Sequence, residues 1–375
     1  MSKNLALLLA AILIVASAPH SRQLELINHG SRREPAQSKQ WHLGYLHTDE
    51  AHHSSHGEGV IVAVLDTGVD PHRDLSLNLL DGTDVIPGGS GDGHRDLNGH
   101  GTGMAGLIAA TGQGGGAMGI APRSKILPVL ATPASGVGEA DTLADGIEYA
   151  VSRGAGIISI SSVGGVSQRL VKAINTALAA NVVIVASAGN RPEDGYVGYP
   201  ASLDPVIAVG GVDRRGNHAA VSVSGPEIDV VAPAVDIYST GINGGYRVGT
   251  GTSDATAIVA GAAALIRSKY PDLPAQEVAH RLTATAIDKG PPGRDDEYGY
   301  GVIDLVAALT ADVPPLGFET PSVTTPTSTA AHDNSDDNST ARGLATLGVL
   351  LAAGGGYLVW RRRRRGDDPP PRISR

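Results

Sequence analysis

The sequence predicts an α/β fold built on a mostly parallel central sheet with helices on both faces. Three observations carry this reading. Between Trp41 and Leu309, short β-branched runs alternate with helical patterns, as in strands joined by helical crossovers. The runs are apolar throughout rather than alternating, which suits strands covered on both faces. Glycine contributes 50 residues and aromatics only 3%, a composition for tight turns and close packing rather than for stacking on nucleic-acid bases.

Taken in order, Val60–Leu65 reads as the first buried strand, and Gly156–Ile160, Val182–Ala186 and Val206–Val209 as later ones. Helical patterns cover Thr142–Ser152 and Gln168–Ala180, a small-residue helix runs through Ala110, and another covers Ala257–Lys269. In such sheets the loops at the carboxyl ends of the strands carry ligands and chemistry. No internal repeat is visible.

Composition excludes several classes of function. A hydrophobic content of 41% supports a buried core. The absence of cysteine removes disulfides, thiolate metal sites and a cysteine nucleophile together. Five positive charges at Arg361–Arg365 are included in a net charge of −9, so the rest of the chain is more acidic still and offers no nucleic-acid footprint.

The two ends indicate an address. Lys3, the apolar run Leu5–Ala16 and the small residues Ala16-Ser17-Ala18 form a secretory signal, assigned to residues 1–21. At the other end, residues 343–360 are apolar and run into Arg361–Arg365. As a helix of 1.5 Å per residue this segment would be about 27 Å long, close to the ~30 Å hydrocarbon core. Trp360 falls at the interface, and the arginines hold the tail 361–375 on the cytoplasmic side. Residues 310–342, rich in Pro, Thr, Ser and Asp, form a solvated linker. The expected location is therefore the cell membrane, with one span, an extracellular body and a cytoplasmic C-terminus.

Three motifs fall at predicted strand ends and helix starts. Asp66-Thr67-Gly68 follows the first strand; an acid there is oriented and partly desolvated, fit to hold an imidazole, although Asp-Thr-Gly is also good turn chemistry. Asn98-Gly99-His100-Gly101-Thr102-Gly103 opens the small-residue helix and leaves His100 at its start. Gly101–Gly106 also satisfies G-x-G-x-x-G, but the polar residues before it cannot form a buried strand, which argues against a dinucleotide site. Gly249-Thr250-Gly251-Thr252-Ser253-Asp254 leads into the last helix. A serine there lies near free backbone N–H groups and the positive end of the dipole, an environment that stabilises an oxyanion. Plain N-capping by Thr252 or Ser253 is the alternative.

Asp66, His100 and Ser253 follow the chain order of one of the known catalytic triads. With these motifs the chain resembles the subtilases over about residues 41–309. Ser187-Ala188-Gly189-Asn190, Ser162-Val163-Gly164-Gly165, Tyr199-Pro200-Ala201-Ser202 and Ala232-Pro233 support the resemblance in the same order. It implies a subtilisin-like three-layer sandwich over residues 59–309, preceded by an extension at 22–58. It also implies a serine endopeptidase in which Ser253 is nucleophile, His100 base and Asp66 its orienter. Asn190 would donate to the oxyanion, and Ser162, Val163 and Gly164 would pair with extended substrate. The signal, linker, span and basic tail are similar to those of the mycosins, membrane-anchored proteases of type VII secretion systems. Gln40-Trp41-His42-Leu43 and Tyr298-Gly299-Tyr300-Gly301-Val302-Ile303-Asp304 fit that subgroup, whereas the lack of cysteine departs from it.

Expected partners are a protein or peptide substrate, the membrane and secretion-machinery proteins. No cofactor is expected; calcium is common in the family, but no acidic loop here is specific for it. The stretch His52–His56 reads as solvated linker rather than metal site. About 20 residues between signal and Trp41 are too few for a folded inhibitory pro-domain, which would need nearer ~60. Four residues depart from the family's usual pattern: Gly103 and Met104 after the histidine, Asp254 in place of an apolar residue after the serine, and Ala257 in place of proline. Asp254 reads as a helix-dipole acid pointing away from the oxyanion; pointing inward, it would oppose the reaction. The alternative function is therefore a weak or inactive relative serving as a structural part of a secretion complex.

Overall fold

The computed structural model describes residues 34–135 and 138–317. The unbroken apolar run after Gly59 forms β1 (Ile61–Asp66) at the interior of a seven-stranded sheet. The others are β2 (Thr83–Asp84), β3 (Lys125–Leu130), β4 (Ile157–Ile160), β5 (Val183–Ser187), β6 (Ile207–Val212) and β7 (Val230–Pro233). Their spatial order is β2-β3-β1-β4-β5-β6-β7, and every pairing is parallel. The chain first builds outward from β1 to β3 and then crosses to β4, so the direction of winding reverses between β1 and β4. A crevice opens at the carboxyl ends of strands at such a switch point.

Helices cover both faces, giving the expected three layers. Ahead of β1 lie α1 (Trp41–Tyr45) and α2 (Thr48–Ala51). On the same face lie α3 (His100–Ala109) and α6 (Thr252–Lys269), with α7 (Ala275–Ala284) and α8 (Leu305–Thr310). The opposite face carries α4 (Ala140–Ser152) and α5 (Gln168–Ala179). Helix α6 is buried from Thr252 to Arg267, and a helix apolar all round belongs in a core. Its alanines and glycine allow sheet and neighbouring helices to approach closely.

β3 is absent from the sequence reading because Pro128 interrupts it. Lys125 N–H donates to Val60 O just ahead of β1 and Ala131 N–H to Asp66 O at its end, whereas Ile126 N–H donates outward to Asn78 O at 2.8 Å. Pro128 shares the outward parity, and β2 pairs only with Val129 and Leu130. The missing donor therefore costs no ladder bond, as for proline at a sheet edge. The antiparallel hairpin β8 (Ile237–Thr240) and β9 (Tyr246–Gly249) also lies outside the main sheet. Ser239 Oγ and Thr240 Oγ1 donate to Gly103 O and Thr102 O, each at 2.7 Å, which docks the hairpin on the first turn of α3.

The segment before β1 is packed rather than solvated, which corrects the linker reading of His52–His56. His52 Nε2 lies 2.9 Å from Ile120 O, and the His52 and His56 rings stack with centroids 4.8 Å apart. The Gln40 side chain bonds Met118 through both amide ends, at 2.8 and 2.9 Å. Among the described residues no helix is long and apolar enough to cross a membrane. The signal 1–21, the span 343–360 and the tail 361–375, with residues 318–342 of the linker, lie outside the described residues.

Candidate active site

Asp66 closes β1 at the switch point and is 2% exposed. Thr67 N–H donates to its Oδ1 at 2.8 Å, a turn contact that holds the carboxylate in place. His100 is the first residue of α3, and its Nδ1 lies 2.8 Å from Asp66 Oδ1 and 3.0 Å from Oδ2. Close approach of α3 to the Asp66 turn depends on Gly101, where a Cβ would stand 2.2 Å from Gly68 O.

The sequence reading missed the residue that anchors this helix start. Buried Asp96 accepts through Oδ1 from Thr67 Oγ1, Asn98 N–H and Gly99 N–H, at 2.9, 2.9 and 2.7 Å. Its Oδ2 accepts from Thr102 N–H and Thr102 Oγ1 at 2.9 and 2.6 Å. It thus satisfies donors of the first helical turn as a cap does and complements the dipole. The legible signal was an acid shortly before a histidine that opens a helix.

Ser253 sits in the first turn of α6, 7% exposed. Its Oγ donates to Ser161 O at 3.0 Å, and Ser161 Oγ donates back to Ser253 O at 3.2 Å, joining α6 to the end of β4. Ser253 Oγ makes no hydrogen bond to His100. Asn190 accepts through Oδ1 from Thr252 N–H at 2.9 Å, and Thr252 Oγ1 lies 3.2 Å from both Asn190 Oδ1 and Gly189 O, which leaves Nδ2 as the free end of the amide. Asp66, His100, Ser253 and Asn190 all line one cavity of about 370 Å³, together with Ser162 and Val163. Gly164 lies one residue further on, and its N–H is taken by Tyr199 O at 3.0 Å. The strand edge is therefore open at Ser162 and Val163 more than at Gly164.

The Subtilase family profile matches residues 57–301. The chain belongs to the subtilase family. Subtilases of this kind are serine endopeptidases, and this chain is one. It is 41% identical to subtilisin DY of Bacillus licheniformis over 258 residues, 67% of this chain and 91% of that protein. It is 37% identical to subtilisin Savinase of Lederbergia lenta over 275 residues, 73% of this chain and 99% of that one. Solved neighbours include MycP1 from Mycobacterium smegmatis, with a TM-score of 0.66 and 30% identity over 73% of this chain and 85% of that one. The MycP3 protease from the type VII (ESX-3) secretion system has the same TM-score and 34% identity over 73% and 88%.

In this subtilase the imidazole is tuned by opposing effects. Burial disfavours its charge, but the charge of Asp66 and its hydrogen bond outweigh burial and raise the His100 pKa above the ordinary 6.5. Asp254, in the first turn of α6, is 2% exposed. Its carboxylate packs over Gly249, where a Cβ would lie 2.4 Å from Oδ1, and takes a 3.4 Å contact from Arg247 Nη1. Burial pushes its pKa up to about 6, against the pull of Arg247 and His100. The carboxylate thus faces β9 and does not line the Ser253 cavity. Among the described residues, Asp81, Asp92 and His94 could bring three ligand atoms within 4.8 Å of one another. Both acids are exposed, His94 Nε2 is already 3.0 Å from Leu80 O, and His94 Nδ1 lies 3.4 Å from Asp92 Oδ2.

Proposed function

We propose that this subtilase cleaves peptide bonds by acyl transfer, with Ser253 as nucleophile, His100 as general base and Asp66 holding the imidazole. The observation that carries the assignment is the Asp66–His100 hydrogen bond at the rim of a cavity that Ser253 and Asn190 also line. With Asp66 ionised, the proton resides on Nδ1 and Nε2 is free to accept from the serine. A turn about the Ser253 Cα–Cβ bond would carry Oγ from Ser161 O toward the imidazole; such contacts tighten when substrate binds. The proton then passes from Oγ to His100 and on to the leaving amine, while Asn190 Nδ2 and the Ser253 N–H receive the oxyanion. Ser162 and Val163 would align the acyl half of the peptide.

The protease is proposed to act outside the cytoplasm, tethered by the 343–360 span, at a type VII secretion system. Its likeness to the MycP structures and the signal, linker and basic tail read from the sequence support this. A serine-directed fluorophosphonate should label the wild type and not Ser253→Ala. Equal labelling of both would refute the nucleophile. Comparison of proteins secreted by wild-type and Ser253→Ala cells, with fractionation of the protease to the membrane, tests the second part.

A further inference from the structure

Two of the departures from the family pattern, Gly103 and Asp254, meet at Arg247. Gly103 lacks a side chain, and a Cβ built there would stand 2.5 Å from Arg247 Nη1 and 2.7 Å from its Cδ. Gly249 likewise leaves room, since its Cβ would lie 2.8 Å from Arg247 Nη2 and 2.4 Å from Asp254 Oδ1. Two glycines therefore clear a slot into which the Arg247 side chain lies, steadied by the buried Asp254 carboxylate. Among the described residues this 3.4 Å contact is the only hydrogen bond the Arg247 side chain makes, although a guanidinium carries five N–H donors. Its side chain remains 26% exposed.

That exposure opens into a second cavity of about 280 Å³, lined by Arg247, Tyr246, Ile242 and Gly99 with His100 and Asn98. The two cavities share only Asn98 and His100, so the imidazole stands between them. The first holds Ser253, Asn190 and the strand edge and receives the acyl half of a peptide. With the acyl half along Ser162 and Val163, the departing half would pass His100 into the second. Its only permanently charged lining residue is Arg247, whereas the acyl-side cavity is walled by Glu193 and Asp194. Charge therefore differs in sign across the scissile position.

We propose that Arg247 is a specificity-determining residue that selects an acidic side chain in the first two residues after the scissile bond. The inference rests on the proteolytic reading of Asp66, His100 and Ser253. A planar guanidinium held on one edge and open on the other is suited to a carboxylate, because fixed donors lose little freedom on pairing.

The test uses the full chain and a synthetic peptide library randomised around the cut, with cleavage sites read by mass spectrometry. Wild type should enrich Glu or Asp over Gln or Asn on the leaving side by about tenfold, the effect of one charge-assisted contact. The kcat/KM ratio for a matched Glu and Gln peptide pair should then fall toward one in Arg247→Gln. Because that change strands a buried carboxylate, Arg247→Gln/Asp254→Asn is measured beside it and should lose the preference equally. Absence of acidic enrichment in the wild type, or its persistence in the double variant, overturns the inference and leaves proteolysis standing. Absence of any Ser253-dependent cutting overturns the proteolytic reading, and the inference with it.

Discussion

Asp66 and His100 are joined by a forked contact, Nδ1 to Oδ1 at 2.8 Å and to Oδ2 at 3.0 Å, across 34 residues of chain. One residue ends a strand and the other starts a helix, so sheet and helix must be in register for the pair to form. The carboxylate raises the imidazole pKa despite burial, and this has a consequence in pH. The base must be neutral, so kcat/KM should rise with pH through a midpoint above 6.5. Asp66→Asn removes the opposing charge and should cut kcat about 10⁴-fold, the loss known for this change in a serine protease with the same triad. A pH–rate profile of wild type with a midpoint at or below 6.5 would contradict the assignment.

Asp96 touches no substrate, yet it holds the turn that presents His100. Asp96→Ala strands five donors. The expected cost is about 3 kcal/mol or more of stability, because buried unpaired donors lose their full solvation. A displacement of the histidine by about 1 Å should also lower kcat up to ~100-fold. Asp96→Asn keeps an acceptor for part of the network and should fall between. Parallel measurement of Tm, KM and kcat checks this: a loss of Tm with kcat unchanged would reduce Asp96 to a structural role.

Asn190 is oriented by Thr252, whose N–H donates to Oδ1 and whose hydroxyl lies between Oδ1 and Gly189 O, 3.2 Å from each. Asn190→Ala should lower kcat about 10²–10³-fold with little change in KM, the magnitude known for the corresponding donor in subtilisin, a relative. Thr252→Val removes only the hydroxyl and should give a smaller loss of the same kind. Steady-state kinetics on one peptide substrate distinguish the two.

Asp254 gives a stability prediction with a definite sign. Its pKa is raised from 3.8 to about 6 in the folded state. The neutral form is thus favoured by folding below 3.8, and that contribution is lost as pH rises through about 6. The loss approaches ~3 kcal/mol at pH 8, at about 1.4 kcal/mol per pKa unit. Asp254→Asn cannot ionise, so its Tm advantage over wild type should grow between pH 4 and 7 and level off above. A difference in Tm that does not vary with pH would show that the carboxylate is solvated.

Local patterns in the sequence determined the α/β class, the strands β1, β4, β5 and β6, and the helices that carry His100 and Ser253. Apolar runs and small-residue helix starts record burial within a few residues, so they can be read without a partner. Pro128 hid β3 because only the neighbouring strand reveals that its missing N–H points outward. Asp96, Ser161 and Arg247 were equally hidden. Each acts through a polar contact whose partner is chosen by strand register or hairpin docking, as Ser161 meets Ser253 across 92 residues. Residue identity alone permitted Asp254 to face solvent, substrate or a counter-ion. The tertiary structure decided among them, because the space left by Gly103 and Gly249 admits the arginine of an adjacent strand.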